Sequence, residues 1–450
     1  VRKFFRACVV VVVLFQVLLF GSRAGAATNS PVDVDLTPDE MGIWVTYADG
    51  TVEARGTGTP HYGDKPMLQS GEHIVALSPT SGAGYWLFSD KGNVFAFGDA
   101  VDYGDVGNLT LNGPVIAAVT TTTGNGYYML GTDGGIFSFG DAKFRGSLPG
   151  LGVVPDKPVV SMSATDGGYL LIAEDGGTFA FGSTAFYGSL PGIGVSPAQP
   201  VIDLVPGSAG YLMLGRDGGI FNFGQSNFLG ALVGYTSSAA VSVAVKADLS
   251  GYVILTEDGA VWTFGDTRSS GVMRVTGNSD TVVDLSVPAR SIVRNSYTGT
   301  TGNFVVWALD AANQKLDLLA NEIGATDGWY WLDEPDTARF EISADGPWVI
   351  EVAPLTYATK WRYTNGNLIG AGNDVVAIPP VGPLVLDATM SGSGNNVIWH
   401  HTGPQEFDRD LLVNEIGTIT NNQSALAPVA GISYFEIVTD PGATWALHVS

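Results

Sequence analysis

The chain repeats itself at a nearly fixed interval. The block Gly126-Tyr-Tyr-Met-Leu-Gly-Thr-Asp-Gly-Gly-Ile-Phe-Ser-Phe-Gly140 returns from Gly168 to Gly182 and again from Gly210 to Gly224. Flanking copies start at Gly84 and Gly251, and a degenerate copy starts at Gly42. Successive starts lie 42, 42, 42, 42 and 41 residues apart. In the first copy Ile43 replaces the Tyr, and Glu53 and Arg55 replace two aromatics. A period in this range marks a repeat architecture whose units bury their apolar faces only by stacking on one another.

Each copy decodes into strands. The apolar run after Gly-Tyr, such as Tyr127 to Leu130, suits a buried strand. Asp-Gly follows at 49–50, 133–134, 175–176, 217–218 and 258–259, with Lys91-Gly92 in the same place in the copy that starts at Gly84. Asp-Gly between apolar runs signals a tight hairpin, because a type I′ turn needs φ > 0. The second strand reads aromatic-x-aromatic: Phe95/Phe97, Phe137/Phe139, Phe179/Phe181, Phe221/Phe223 and Trp262/Phe264. Period two puts each pair on one face. A β-branched run opened by Pro precedes most hairpins, at Pro31, Pro114, Pro158 and Pro200. A short aromatic segment ending in Gly follows: Phe144-Arg-Gly146, Phe186-Tyr-Gly188, Phe228-Leu-Gly230. Three or four strands per unit of this length predict a six-repeat β-propeller over 28–271. An open β-solenoid competes, but its coils usually run shorter per repeat.

These motifs resemble a known family. Gly84-Tyr-Trp-Leu, Asp133-Gly-Gly-Ile-Phe-Ser-Phe-Gly-Asp-Ala142 and Phe186-Tyr-Gly-Ser-Leu190 are similar to the tandem repeats of secreted actinobacterial proteins. The resemblance covers roughly residues 31 to 271 and implies an exported repeat scaffold. It transfers no activity and no catalytic residue. The first copy departs most, as terminal repeats do.

Residues 1–27 read as a secretory signal peptide: basic Arg2, Lys3 and Arg6, an apolar core from Ala7 to Phe20, and a small-residue site at Ala24-Gly-Ala26. The apolar run is short for a membrane span, so an uncleaved anchor is the lesser expectation. Cleavage would leave no membrane span and would remove Cys8, the single Cys, and with it any disulfide, Cys-ligated metal or thiol nucleophile. It would also take the net charge from -23 to -27, by loss of Arg2, Lys3, Arg6 and Arg23. So acidic a surface argues against nucleic acid, whose phosphates need Lys and Arg.

A longer repeat replaces the first beyond Gly271. Leu318-Leu-Ala-Asn-Glu-Ile-Gly324 returns as Leu411-Leu-Val-Asn-Glu-Ile-Gly417, 93 residues on. Val282-Val283 answers Val375-Val376, Trp307 answers Trp399, and Phe340-Glu-Ile342 answers Phe435-Glu-Ile437. Alternating strand patterns predict two tandem jelly-roll-like β-sandwich domains, at 276–355 and 368–450, joined by a linker at 356–367. The pattern resembles the pre-peptidase C-terminal modules appended to bacterial exoenzymes. The expected class is therefore all-β throughout.

Catalytic signatures are missing from the sequence. His61, His73, His400, His401 and His448 show no zinc-binding spacing, and no nucleophile elbow or Walker loop occurs. Adjacent His400 and His401 are expected at a strand surface or edge, facing opposite ways. Asp33 and Asp35 do not belong to an EF-hand loop. Asp99, Asp141 and Asp266 follow Phe-Gly at one repeat position. A ring of such carboxylates could bind Ca²⁺ or serve glycoside hydrolysis; local turns are the competing reading. Trp329 and Trp331 lie two apart with Asp327, Asp333 and Glu334 nearby. They are expected as a sugar platform if exposed, with Asp327 or Glu334 accepting hydroxyl hydrogen bonds, or as core if not. No metal or cofactor is called for. The expected protein is a non-enzymatic scaffold, secreted or held at the cell surface, that binds extracellular glycan or protein. An extracellular hydrolase using Asp99, Asp141 and Asp266 and a structural surface-layer component are the alternatives.

Overall fold

The computed structural model describes residues 29–450 except 208, 286, 289, 301 and 404–407, so the expected signal peptide lies outside the described residues. Among the described residues the fold is all-β, with one α-helix, Leu148–Leu151, and short 3-10 turns. No described helix is long and apolar enough to cross a membrane.

Six three-stranded antiparallel sheets follow the 42-residue period. Unit 1 consists of Pro31–Leu36, Ile43–Tyr47 and Val52–Arg55, and unit 2 of Ile74–Pro79, Gly84–Ser89 and Val94–Gly98. Unit 3 has Val115–Thr120, Gly126–Gly131 and Ile136–Gly140; unit 4 has Val159–Thr165, Gly168–Ala173 and Thr178–Gly182. Unit 5 has Val201–Gly207, Gly210–Gly215 and Ile220–Gly224, and unit 6 has Ala240–Val245, Gly251–Thr256 and Val261–Gly265. In units 2 to 6 the middle strand is buried along its whole length, which explains its unbroken apolar run. The first strand of each unit packs on the first strand of the next, and Ala240–Val245 packs back on Pro31–Leu36. The series therefore closes into a ring with the first strands innermost. Each first strand carries a register shift near its start, as at Pro31/Asp33 and Val201/Asp203. Such bulges sharpen the local twist.

One contact recurs at the seams. The Tyr of Gly-Tyr pairs across the hairpin with the second aromatic of the outer strand: Tyr85 with Phe97, Tyr127 with Phe139, Tyr169 with Phe181, Tyr211 with Phe223, Tyr252 with Phe264. Their ring centroids lie 5.9, 5.6, 5.4, 5.6 and 5.3 Å apart. The phenol then reaches into the preceding unit. Tyr85 donates to the Gly63 carbonyl at 2.6 Å, Tyr127 to Gly104 at 2.7 Å and Tyr252 to Gly230 at 2.5 Å. Tyr169 and Tyr211 donate likewise to Gly146 and Gly188. The glycine is required twice over. Its φ is positive, 116° at Gly146 and 128° at Gly188, and a Cβ there would press on the Phe181 or Phe223 ring. The aromatic-Gly segments expected as further strands are thus not strands. Their polar groups go to the neighbouring tyrosine instead of a ladder, as when the Arg145 N–H donates to the Tyr169 hydroxyl at 3.1 Å.

Two further bodies follow, each with one core between two sheets. In the first, Met273–Gly277, Trp348–Pro354, Ser291–Tyr297 and Thr326–Leu332 face Thr281–Asp284, Arg339–Ser343, Asn303–Leu309 and Lys315–Ile323. Phe304, Phe340, Tyr330 and Trp348 fill the space between. The second encloses Phe435, Trp445, Ile398 and Leu386 in the same way. The expected linker 356–367 is not a free tether. Leu355–Tyr357 forms a buried turn, and Thr359–Lys360 pairs in parallel with Asp374–Ile378.

The seam contact sets two expectations for chemical denaturation. Tyr169→Phe keeps the ring and loses the hydroxyl, which should cost about 1 kcal/mol. Phe181→Ala removes a buried ring and should cost about 3–5 kcal/mol. Equal losses for the two would show that the hydroxyl, not the ring, carries the seam.

Candidate functional site

The carboxylate column is occupied locally. Asp99 accepts from the Thr80 hydroxyl at 2.7 Å and the Ala83 N–H at 2.6 Å. The Ala83 N–H, followed by the Thr80 hydroxyl, holds its carboxyl below the usual range. Asp141 accepts from the Thr121 and Thr123 hydroxyls at 2.8 and 2.5 Å. Asp266 pairs with Lys246 at 2.9 Å. Each carboxylate ties the turn between the first two strands of its own unit to the end of the third. No hydrogen bond or ion pair among the described residues joins one of these carboxylates to another.

The indoles are placed differently from the expected platform. Trp329 and Trp331 share a face, as their spacing requires, but they are only 8% and 7% exposed. The face is covered because the second body and unit 6 dock on it. The Arg268 guanidinium lies 4.7 Å over the Trp329 ring and donates to Tyr357 O, Thr359 Oγ1 and Asp374 Oδ1 at 3.0, 2.8 and 2.8 Å. Trp331 stacks on His401 at 4.2 Å, and its backbone N–H donates to Glu436 Oε1 at 3.3 Å. Asp327 is taken by Arg294 through two bonds, 2.7 and 2.8 Å long. Glu334 is half-buried, and its carbonyl closes a turn with the Thr337 N–H. These residues are a joint between bodies, and the sugar-platform expectation does not hold. His400 and His401 are likewise buried, not on a surface: His400 packs on Phe435, and burial lowers its pKa to about 4.

The same joint holds buried charge. Lys360 Nζ donates to the carbonyls of Thr263, at 2.8 Å, and Thr356, and lies 5.2 Å from the Phe264 ring centroid. Burial first, and the Arg268 charge second, push its pKa well down. Glu351 is fully buried and meets Arg294 at 3.0 Å and the Ser269 hydroxyl at 2.9 Å.

What the surface does present is a row of aromatics on the ring. Phe144, Phe186 and Phe228 occupy one position in the segments that follow units 3, 4 and 5, and are 59%, 57% and 54% exposed. The residue after each is fixed: Arg145 packs on Gly182, Tyr187 on Gly224 and Leu229 on Gly265. The phenylalanines are left outside. Leu151 and Ile193, also at equivalent positions, add exposed apolar surface in the turns beyond. Segments 183–188 and 225–230 contain no charged residue, and 143–145 carries Lys143 and Arg145, in a chain of net charge -23. The sequence showed these aromatics, but their place before Gly read as a further short strand.

No group of three or more His, Cys, Asp or Glu among the described residues could hold a metal ion. The chain is an all-β protein built from many small antiparallel sheets. No protein-family model matches it, and no curated protein does. Among solved structures it is similar to the crystal structure of the mitotic checkpoint complex, with TM-score 0.39 and 10% identity over 54% of this chain and 76% of that chain.

The joint makes its own prediction. Trp329→Ala/Trp331→Ala should lower the melting temperature, at about 3–5 kcal/mol per buried indole. Glu351→Ala, which strips Arg294 of a buried partner, should cost about 3 kcal/mol. An unchanged melting temperature in the double variant would restore the exposed-platform reading.

Proposed function

We propose that this protein is a non-enzymatic scaffold, secreted or held at the cell surface, that binds glycan or protein at the cell envelope. In this reading the ring is a six-bladed β-propeller and the two following bodies are β-sandwich modules. The cyclic packing of the six first strands supports the propeller, and the single core between each pair of sheets supports the sandwiches. The resemblance of the repeats to secreted actinobacterial proteins supports export.

The observation that carries the binding reading is the exposed row Phe144, Phe186 and Phe228. Exposed aromatics on rigid, equivalent supports are costly to leave in water and suit a partner surface. Equal spacing in sequence suits an extended ligand with repeated units. Each subsite is shallow, so single contacts are weak and affinity comes from several together. The local partners of Asp99, Asp141 and Asp266, each within its own unit, support this reading over the hydrolase alternative.

The test is retention on isolated cell walls and on insoluble polysaccharides. Phe144→Ser/Phe186→Ser/Phe228→Ser should abolish retention of the full chain while leaving its melting temperature within about 2 °C, because surface changes cost little. Wild-type-like retention by the triple variant sinks the reading. Self-assembly of the wild type without any wall material would favour a surface layer.

A further inference from the structure

The axis of the ring holds three carboxyls that nothing above uses. Asp33 and Asp35 lie on the first strand of unit 1 and Asp203 on that of unit 5. Asp33 Oδ2 accepts from the Leu77 N–H of unit 2 at 2.9 Å, and Oδ1 accepts from the Ser242 hydroxyl of unit 6 at 2.7 Å. Asp203 Oδ1 accepts from the Ser161 hydroxyl of unit 4 at 2.8 Å, and Oδ2 from the Val243 N–H of unit 6 at 3.1 Å. Between them these two side chains touch units 1, 2, 4, 5 and 6.

Two features of this geometry call for protons. Ser242 Oγ stands 2.7 Å from Asp33 and 3.4 Å from Asp203. Its single hydrogen can serve one of them; the other contact is satisfied when that carboxyl is itself protonated. Asp35 Oδ2 is buried with no hydrogen-bond partner, a position a neutral acid tolerates far better than an anion. The six first strands carry no Lys, Arg or His to answer them. The ionisable groups on those strands are the three aspartates alone. On the strand paired to Pro31–Leu36 the one ionisable side chain is Tyr47, and on Gly251–Thr256 it is Tyr252, whose hydroxyl is bound to Gly230.

We propose that the axial aspartates hold protons in the folded ring, and that their ionisation as pH rises loosens the ring where units 5, 6 and 1 meet. The direction of the shifts agrees. Desolvation, the largest influence on each, raises all three; Asp33 is pushed up to about 7, and Asp35 is raised further by the charges of Asp33 and Asp203. In the unfolded chain these groups ionise near their ordinary pKa of about 3.9. Between that value and the raised one the folded ring binds more protons, so stability falls as pH rises. Above the folded values the loss is complete and levels off. Buried His400 pulls the other way: the unfolded state takes up its proton below about 6.5, so its share of stability is lost as pH falls from there towards 4. The test therefore compares variants at the axis, in which the His400 contribution cancels.

Melting temperatures of the full chain and of Asp35→Asn are measured from pH 5 to pH 8.5. The wild type should lose about 2–6 °C more than Asp35→Asn over that range. At pH 8 the variant should be the more stable protein, since the amide cannot ionise and the replaced Oδ2 has no hydrogen bond to lose. Asp336→Asn, which changes an exposed carboxyl outside the ring, should keep the wild-type slope. Parallel slopes for wild type and Asp35→Asn overturn the proposal. So does an Asp35→Asn chain that is less stable at pH 8 or fails to fold.

Discussion

The structure depends on a tyrosine that reaches across a seam. In five of the six units the phenol of Gly-Tyr lies against its own outer-strand phenylalanine and bonds a glycine carbonyl of the unit before. Three residue types are needed together: the Tyr for its rigid reach, the Phe to hold the ring in place, the Gly to admit both. None of them gains much alone. A three-stranded sheet has two open edges and an exposed apolar face, and is marginal in water by itself. Repetition solves both problems only if every unit grips the next.

The sixth seam is the exception and shows why the first repeat looks degenerate. Ile43 stands where the Tyr would be and Arg55 where the Phe would be. Gly271 still packs there, with Ile43 closing on it. The missing phenol bond is replaced by backbone bonds, Gly271 N–H to Met41 O at 2.8 Å and Thr57 N–H to Val272 O at 3.0 Å. Arg55 crosses the seam to Gly259 O at 3.0 Å. The following bodies dock at the same place, with Leu355 and Tyr357 joining one core with Ile43, Val45, Trp262 and Phe264. The seam with the least repeat chemistry is therefore the one buttressed from outside.

Burial of polar groups follows the same division of labour. At the joint, Arg268, Lys360 and Glu351 leave water, and each recovers bonds from carbonyls, hydroxyls or an opposite charge. Such groups add little net stability over apolar packing, but they admit few alternative arrangements. They fix how the bodies sit. At the axis the carboxyls face one another with no cation on the six first strands, so the proton takes the role a partner has elsewhere.

The sequence by itself determined the hairpin of each unit, the strand before it and the two repeat periods, because those follow from local rules; the aromatic-Gly segments, read as further strands, are the exception. Asp-Gly needs a left-handed turn, aromatic-x-aromatic shares a face, and a period of about 42 residues recurs whatever surrounds it. It also placed Trp329 and Trp331 on one face correctly. Which faces meet was left to the tertiary structure, since exposure is a property of neighbours and not of spacing. Trp329 and Trp331 went inside because unit 6 and the second body cover them, while Phe144, Phe186 and Phe228 stayed outside because the next residue in each segment does the packing. The axial aspartates show the same limit: Asp33 and Asp203 are 170 residues apart in the chain and share one serine only because the ring closes.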